Sequence, residues 1–454
     1  MKQFSKKIVL AATLICILPT AMLKAQDTLK VSLSKALEIA MSESPTIKVA
    51  NKEIERVDYS KKERIAGLFP TIAASGSYQR TLKKQKVFFT IPGLPTDPNG
   101  FEMGQDNTFS GGLSATLPII APTLWASIEM TDLDAQLVLE SARTSKQSLI
   151  NQVTKSYYTV LLAQDSYNVF KKSYDNTKEN ARIIEDKYKQ GTVSEFEWIR
   201  ADVQVRGAQS NVVSAESAVN MSKLQLKLLM GMSMQTELNV MGSLADFESN
   251  LLGAAISIDT TTLKSNSDLA QFDIKAKQLD KTLKLQQAQW WPTLAAQFNY
   301  QYMSMADDAI KLASYNWFPY STASLSLSIP IFQGGARIYK QKQLSIQIEE
   351  LKSQRENLKH SLELQTLSYL DNIKKAMEKI ESNKEGLRQA EKAVSISTKM
   401  YEVGSTTYLD LSNTQLAYIQ AGLMYNQSIF DYLSAKSDLE KLLGNDASIA
   451  KTKK

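Results

Sequence analysis

The chain has 454 residues, 43% of them apolar and 22% charged, enough for a substantial core and too mixed for global disorder. Residues 1–25 hold four lysines and no acid, so 53 Lys plus Arg and 47 Asp plus Glu become 49 against 47 beyond Ala25, a balance that argues against nucleic-acid binding. Cys16 and His360 are the only residues of their kinds, which excludes disulfide frameworks, Cys/His zinc sites and His-based triads.

No P-loop, GxGxxG or GxSxG string is present, and the scattered acids of so charged a chain read as solvated faces. No enzyme chemistry, metal site or cofactor is expected. The start reads as an export signal over 1–25: Lys2, Lys6 and Lys7 precede the apolar run Ile8 to Leu18, and Ala25 offers a small residue before a cut. A run of eleven residues is too short to span a bilayer, which takes roughly 20. Cys16 lacks the small residue a lipoprotein cleavage site places before its cysteine, so lipidation is not expected. No later stretch has transmembrane-helix length, so a membrane seat would have to be built from strands.

Beyond the signal, prolines fall at 45, 70, 92, 95, 98, 118, 122, 292, 319 and 330 and nowhere else. The tracts 123–291 and 331–454 are free of a residue that costs a helix interior about 3 kcal/mol, and they predict very long helices. Between the clustered prolines the apolar spacing becomes alternating. Ile72, Ala74 and Tyr78 lie opposite Ser75, Ser77 and Gln79, and Phe109, Leu113, Ala115 and Leu117 opposite Ser110, Ser114 and Thr116. After Pro292, Leu294, Ala296, Phe298, Tyr300 and Tyr302 alternate with Gln297, Asn299 and Gln301, and Leu325, Leu327, Ile329 and Ile331 with Ser324, Ser326 and Ser328. Strands are expected near 71–82, 109–119, 293–303 and 323–331. Strands of about ten residues, apolar on one face and small and polar on the other, suit a membrane barrel with a wet lumen.

A soluble sandwich would also bury one face of such a strand, but the only partners in this chain are long helices. Aromatic residues also gather at the strand ends. Phe69 precedes Pro70, Trp290 and Trp291 precede Pro292, and Tyr315, Trp317, Phe318 and Tyr320 fall in the expected second hairpin loop. The pattern reads as an interfacial girdle of Phe69, Trp290 and Trp291 at one end, with the loop aromatics at the other.

The chain is internally duplicated. Lys187 to Gly191 matches Met400 to Gly404 at an offset of 213, as Leu229-Met230-Gly231 matches Leu442-Leu443-Gly444; Leu117-Pro118-Ile119 matches Ile329-Pro330-Ile331 at 212 and Pro70 matches Pro292 at 222. The first hairpin loop is therefore ten residues longer than the second. The division is a signal 1–25, a first helix, hairpin and helix repeat 27–231, an inter-repeat segment 232–262 expected at the waist, a second repeat 263–444 and a tail 445–454. Thr123 to Gln190 would be a helix about 100 Å long, matched antiparallel by Ser194 to Met230 and Thr262 to Trp291 stacked end to end. Leu409, Leu416, Leu423 and Phe430 recur every seven residues, with Ile419 and Leu433 as companions, so coiled-coil packing is expected along that row. Asn426 interrupts it as a register or solvent-facing residue.

The expected fold class is mainly α with a membrane β-barrel. Four strands cannot close a barrel, and an open edge in lipid leaves backbone groups unpaired at several kcal/mol each. Two chains would give eight strands and a filled interior, whereas three would give twelve and a lumen. Three is preferred.

The duplicated unit, with Leu-Ser-Ile-Pro-Ile-Phe-Gln-Gly-Gly from Leu327 to Gly335, the Tyr401-Glu-Val-Gly404 turn and the closing Leu442-Leu443-Gly444, resembles the TolC outer-membrane efflux family over nearly the whole chain past the signal. The resemblance implies a homotrimer in the outer membrane of a Gram-negative bacterium, seated in lipid by a shared 12-strand barrel and continued by a 12-helix periplasmic coiled-coil tunnel. It implies docking to a periplasmic adaptor and an inner-membrane transporter, as the exit duct of a tripartite efflux or type I secretion system. By the Tyr-x-x-Gly string, Asp410 takes the place of an acid that rings the periplasmic entrance. The second acid position is Asn413, and the family's entrance Arg is Thr406 here, so that gate network does not carry over intact. Tyr401, with Glu197 and Tyr188 of the first copy, completes the implied gate, and Gly191 and Gly404 are implied as hairpin-tip adaptor contacts.

A carboxylate ring repels itself, raises its own pKa and draws cations. The plainer readings are that Asp410 solvates a tip and that the two glycines end helices. Two other classes compete with the conduit. A structural or adhesive envelope coiled coil leaves the strands without a purpose, and a hydrolase built on Asp307 and Asp308 rests on adjacent acids in a loop.

Overall fold

The computed structural model describes residues 29–88, 100–250, 263–308 and 314–444. The expected signal 1–25, the tail 445–454 and residues 251–262 of the inter-repeat segment lie outside them. The chain is mostly helical, and no helix of the described residues is long and apolar enough to cross a membrane.

In chain order the elements are β1 (Leu29–Val31), α1 (Leu33–Glu43), α2 (Pro45–Ala66), β2 (Thr71–Arg80), β3 (Gln85–Val87), β4 (Phe101–Met103), β5 (Asn107–Ile120), α3 (Pro122–Lys189), α4 (Glu195–Met230) and β6 (Leu238–Val240). Short 3-10 turns at Leu244–Asn250 and Leu263–Ser265 flank the repeat junction. The second repeat runs α5 (Ser267–Ala288), β7 (Thr293–Ala306), β8 (Phe318–Ser328), α6 (Ala336–Glu402) and α7 (Tyr408–Leu442). The duplication survives to within one residue: α2 and α5 have 22 residues each, α3 and α6 have 68 and 67, α4 and α7 have 36 and 35.

Proline sets where these helices begin. Pro45 and Pro122 stand in the first turns of α2 and α3, where a missing N–H costs nothing and a fixed φ helps. α5 instead starts on Asn266, whose side-chain oxygen accepts from the backbone N–H groups of Asp268 and Leu269, both at 3.0 Å.

One four-stranded antiparallel sheet, ordered β2-β5-β7-β8, holds the hairpins of both repeats. Its register places Ile72 opposite Ala115, Leu113 opposite Tyr300, Phe298 opposite Ala323 and Ala296 opposite Leu325, so the apolar sets of all four strands share one face. The serines, threonines and amides share the other, where Ser77 and Ser110 approach hydroxyl to hydroxyl at 2.7 Å. β8 starts at Phe318 rather than 323, because its ladder with β7 continues through Tyr320 opposite Gln301 to Phe318 opposite Met303; Pro319 is tolerated because β8 is an edge strand. It ends at Ser328, two residues short of Pro330. Phe318 and Tyr320 are thus strand residues, not loop residues.

The apolar core lies at the waist. Leu149, Val153, Tyr157 and Leu161 of α3 pack with Leu226 and Met230 of α4 and with Ile429, Tyr432 and Leu439 of α7, and the parallel pair β1/β6 adds Val31 and Val240. Each such side chain contributes about 1.5–3 kcal/mol by leaving water. The end-to-end stacking differs from expectation. α4 ends at Gly231 against the Glu43–Ser44 start of α2, and α7 ends at Gly444 against Ser265 at the start of α5, so each repeat's last helix meets a short helix that begins at the waist.

The seam of α7 also differs from expectation. Leu409 and Leu416 are 47% and 54% exposed, while the buried heptad row is Leu411, Tyr418, Tyr425, Tyr432 and Leu439. Asn426 is buried rather than solvent-facing. Tyrosines share the packing within the chain with Leu411, Ile429, Leu433 and Leu439; Leu409 and Leu416 look away from it, while Phe430 at the far end of the predicted row lies against the core.

Candidate functional site at the helical tips

At the end of the molecule far from the sheet, the α3/α4 and α6/α7 turns lie side by side. Both long helices finish the same way: Gly191 and Gly404 take φ of 71° and 76°, and the next amides reach back, Thr192 N–H to Lys187 O at 2.9 Å and Ser405 N–H to Met400 O at 2.8 Å. This is the double-bond helix stop that left-handed glycine permits. Nothing lies within 4 Å of where a Cβ would sit on either glycine, so backbone conformation alone selects them.

The following helices start with matched caps. Ser194 Oγ accepts from Glu197 N–H at 3.3 Å and Thr407 Oγ1 from Asp410 N–H at 3.1 Å. In the second copy the box closes, with Thr407 Oγ1 donating to Asp410 Oδ2 at 2.6 Å and Thr406 Oγ1 reaching the same oxygen at 3.3 Å. These hydroxyls, Thr407 first, hold the Asp410 carboxyl below its ordinary pKa. Within one chain the shift therefore runs opposite to the rise expected of a carboxylate ring.

A small core joins the two turns: Ile184 of α3 and Ala201 of α4 pack with Tyr401, Tyr408 and Leu411 of the second repeat. Tyr401 and Tyr408 stand 6.0 Å apart between ring centroids, and Arg200 lies 6.0 Å over Tyr408. Burial, with Glu197 nearby, pushes the Tyr401 phenol up to about 12. The Tyr401 hydroxyl has no hydrogen-bond partner among the described residues, and neither do Asn180 Nδ2 and Gln415 Nε2 in the buried layer toward the waist. Lys187 links the repeats directly. Its Nζ donates to the carbonyls of Tyr401 at 2.7 Å and Glu402 at 3.1 Å and sits 4.7 Å over the Tyr401 ring. It thereby caps the carbonyl end of α6, where cations are favoured.

The structure thus brings Tyr401, Glu197 and Asp410 to one tip but gives them different neighbours. Asp410 and Asn413 are exposed, Glu197 is half-buried, and Tyr188 stacks on Trp198 at 5.3 Å with parallel rings. Sequence reasoning missed Lys187, Trp198 and Thr407. At the sheet end of the helices, Phe69, Trp290 and Trp291 are exposed, with Arg337 5.2 Å over Trp290. Asp307 and Asp308 pair with Lys84 and Arg80, both at 2.6 Å, and tie the loop end of the second hairpin to that of the first.

A sheet oily on one face and wet on the other, carried on helices of about 100 Å that end in paired turns, defines a channel-forming protein of the outer membrane. The chain belongs to the outer membrane efflux protein family, whose model matches residues 36–232 and 260–445. It is 22% identical over 355 residues to the pyoverdine export outer membrane protein OpmQ of Pseudomonas aeruginosa, covering 76% of this chain and 73% of that one. Outer membrane protein TolC of Vibrio cholerae is 18% identical over 340 residues, 75% of this chain and 77% of the relative. Among solved structures, the Campylobacter jejuni CmeC outer membrane channel superposes with a TM-score of 0.69 at 17% identity, over 91% of this chain and 85% of that one. Members of this family are outer-membrane efflux channels, not enzymes, and the protein resides in the outer membrane of a Gram-negative cell.

Proposed function

We propose that three copies of the chain form one exit duct, a 12-strand barrel in lipid continued by a periplasmic tunnel of helices, energised by an adaptor and an inner-membrane transporter in a tripartite efflux or type I secretion assembly. The observation that carries this reading is the sheet. Its two edge strands, β2 and β8, are unpaired in the single chain and run antiparallel to one another, so β8 of one copy fits β2 of the next in the pattern already present. Left open in lipid, either edge would cost several kcal/mol per unpaired group. The exposed apolar residues of the helices, among them Leu364, Leu367, Leu416 and Met424, supply matching surface for neighbouring copies below the sheet.

In this reading the tips are the periplasmic entrance. Lys187 holds the α6/α7 turn against the α3/α4 turn, Asp410 presents a carboxylate near the axis, and the exposed surface around Gly191 and Gly404 meets the adaptor. Phe69, Trp290 and Trp291 sit at the inner interface of the membrane as a girdle. Purified protein in planar bilayers tests the reading. Discrete ion-conducting steps are expected, and a folded protein that never conducts would leave the adhesive coiled-coil alternative standing.

A further inference from the structure

The wet face of the sheet carries no charged side chain: its residues, from Thr71 to Gln79 on β2, Thr108 to Thr116 on β5, Thr293 to Met305 on β7 and Phe318 to Ser328 on β8, are small, hydroxyl, amide, thioether or aromatic. The chemistry changes toward the hairpin loops. Tyr320 stands directly opposite Gln301, Phe318 directly opposite Met303, and Met305 follows one pair further out. Asn299 Nδ2 meeting Thr322 Oγ1 at 3.5 Å fixes this face as the wet one along the same two strands.

The rings on the two faces behave differently. On the apolar face Tyr78, Phe109, Tyr315 and Trp317 pack on one another, with Phe109 at 4.6, 5.6 and 6.5 Å from the other three. On the wet face Phe318 and Tyr320 are 57% and 51% exposed, and among the described residues neither stacks on another ring. They lie on an edge strand. The wet-face residues of the other edge strand at this level are Ser75 and Ser77, too small to cover them.

We infer that Phe318, Tyr320 and Met303 form an aromatic and thioether collar at the outward mouth of the lumen, a subsite for planar aromatic solutes, neutral or cationic, on their way out. The collar rests on the conduit reading above. Ring faces favour stacked aromatic partners and cations, and the polarizable Met303 sulfur adds to the same surface. An anion finds no positive charge on this face, and a polypeptide or inorganic ion gains little from two rings in an otherwise Ser, Thr and amide wall.

The test is equilibrium binding of ethidium, a planar aromatic cation, to the protein in lipid nanodiscs by fluorescence anisotropy. Binding by the parent should weaken about tenfold in Phe318→Ser/Tyr320→Ser, the loss of two stacking faces. It should weaken equally in Phe318→Leu/Tyr320→Leu, which keeps apolar bulk and decides the matter if the serine pair does not fold. Displacement by tetraethylammonium, a cation without a ring, should be absent. Parent protein that conducts in bilayers yet does not bind ethidium, or binds it equally in both variants, overturns the collar alone. Parent protein that does not conduct overturns the lumen and the collar with it.

Discussion

Lys187 is the residue on which the two tips depend most directly. It combines two charge-assisted hydrogen bonds to the end of α6 with a ring contact, and it joins positions more than two hundred residues apart. Two charge-assisted bonds of about 1.5 kcal/mol each come to about 3 kcal/mol, so Lys187→Ala should shift the closed-to-open balance by about a hundredfold, read as raised single-channel conductance or open time. Tyr401 serves through its ring and carbonyl, since its hydroxyl has no partner among the described residues. Tyr401→Phe should leave conductance as it is, whereas Tyr401→Ala should raise it. For Asp410 the sign of the pH effect follows from the threonine hydroxyls. Because its folded pKa is depressed, the carboxylate's contribution is present above the unfolded value of about 3.9 and is lost only as pH falls through the lower folded value. Divalent-cation block should therefore persist to about pH 4 and vanish in Asp410→Ala; block that fades between about pH 6 and 5 would mean that repulsion across a ring dominates instead.

At the scale of elements, the glycine turns fall into two kinds. Gly191 and Gly404 need only a positive φ in open space, while Gly231 shares that φ and also sits where a Cβ would come within 2.6 Å of the Glu43 carbonyl oxygen. Gly191→Ala should cost about 1–2 kcal/mol of local stability, the penalty of a left-handed alanine. Gly231→Ala should cost more and loosen the α4/α2 junction, visible as a lower thermal midpoint in detergent. The alternation of Ser, Thr and amide with apolar residues made the four strands legible, as did the recurring Tyr-x-x-Gly and Leu-x-Gly strings for the repeats. The phase of α7 was not legible. Leucines at 409 and 416 outweigh tyrosines in any apolar count, yet Tyr418, Tyr425 and Tyr432 are buried because a bulky ring can fill the seam while its hydroxyl finds an edge, as Tyr425 does at Glu248, 3.0 Å away. Pro319 between Phe318 and Tyr320 argues against a strand there, and only the ladder with β7 reveals an edge strand that tolerates it. Lys187 was hidden for a third reason, since its partners are backbone carbonyls that leave no mark on sequence.

For the whole molecule, the proposed assembly rests on what the single chain leaves uncovered: two open sheet edges, exposed apolar residues such as Leu409 and Leu416, and an uncharged wet face. The larger apolar core lies at the waist, and the tips rest on a few polar contacts and a small aromatic cluster, so the tips are the end held more lightly. The proposed duct requires three chains around one lumen. Native mass measurement of the protein released from lipid tests it most directly, against a mass of 50.6 kDa for one full-length chain. A species of three chains that conducts when returned to a bilayer is the expected result; a conducting species of one or two chains, or a monomer stable in water without detergent, would contradict it.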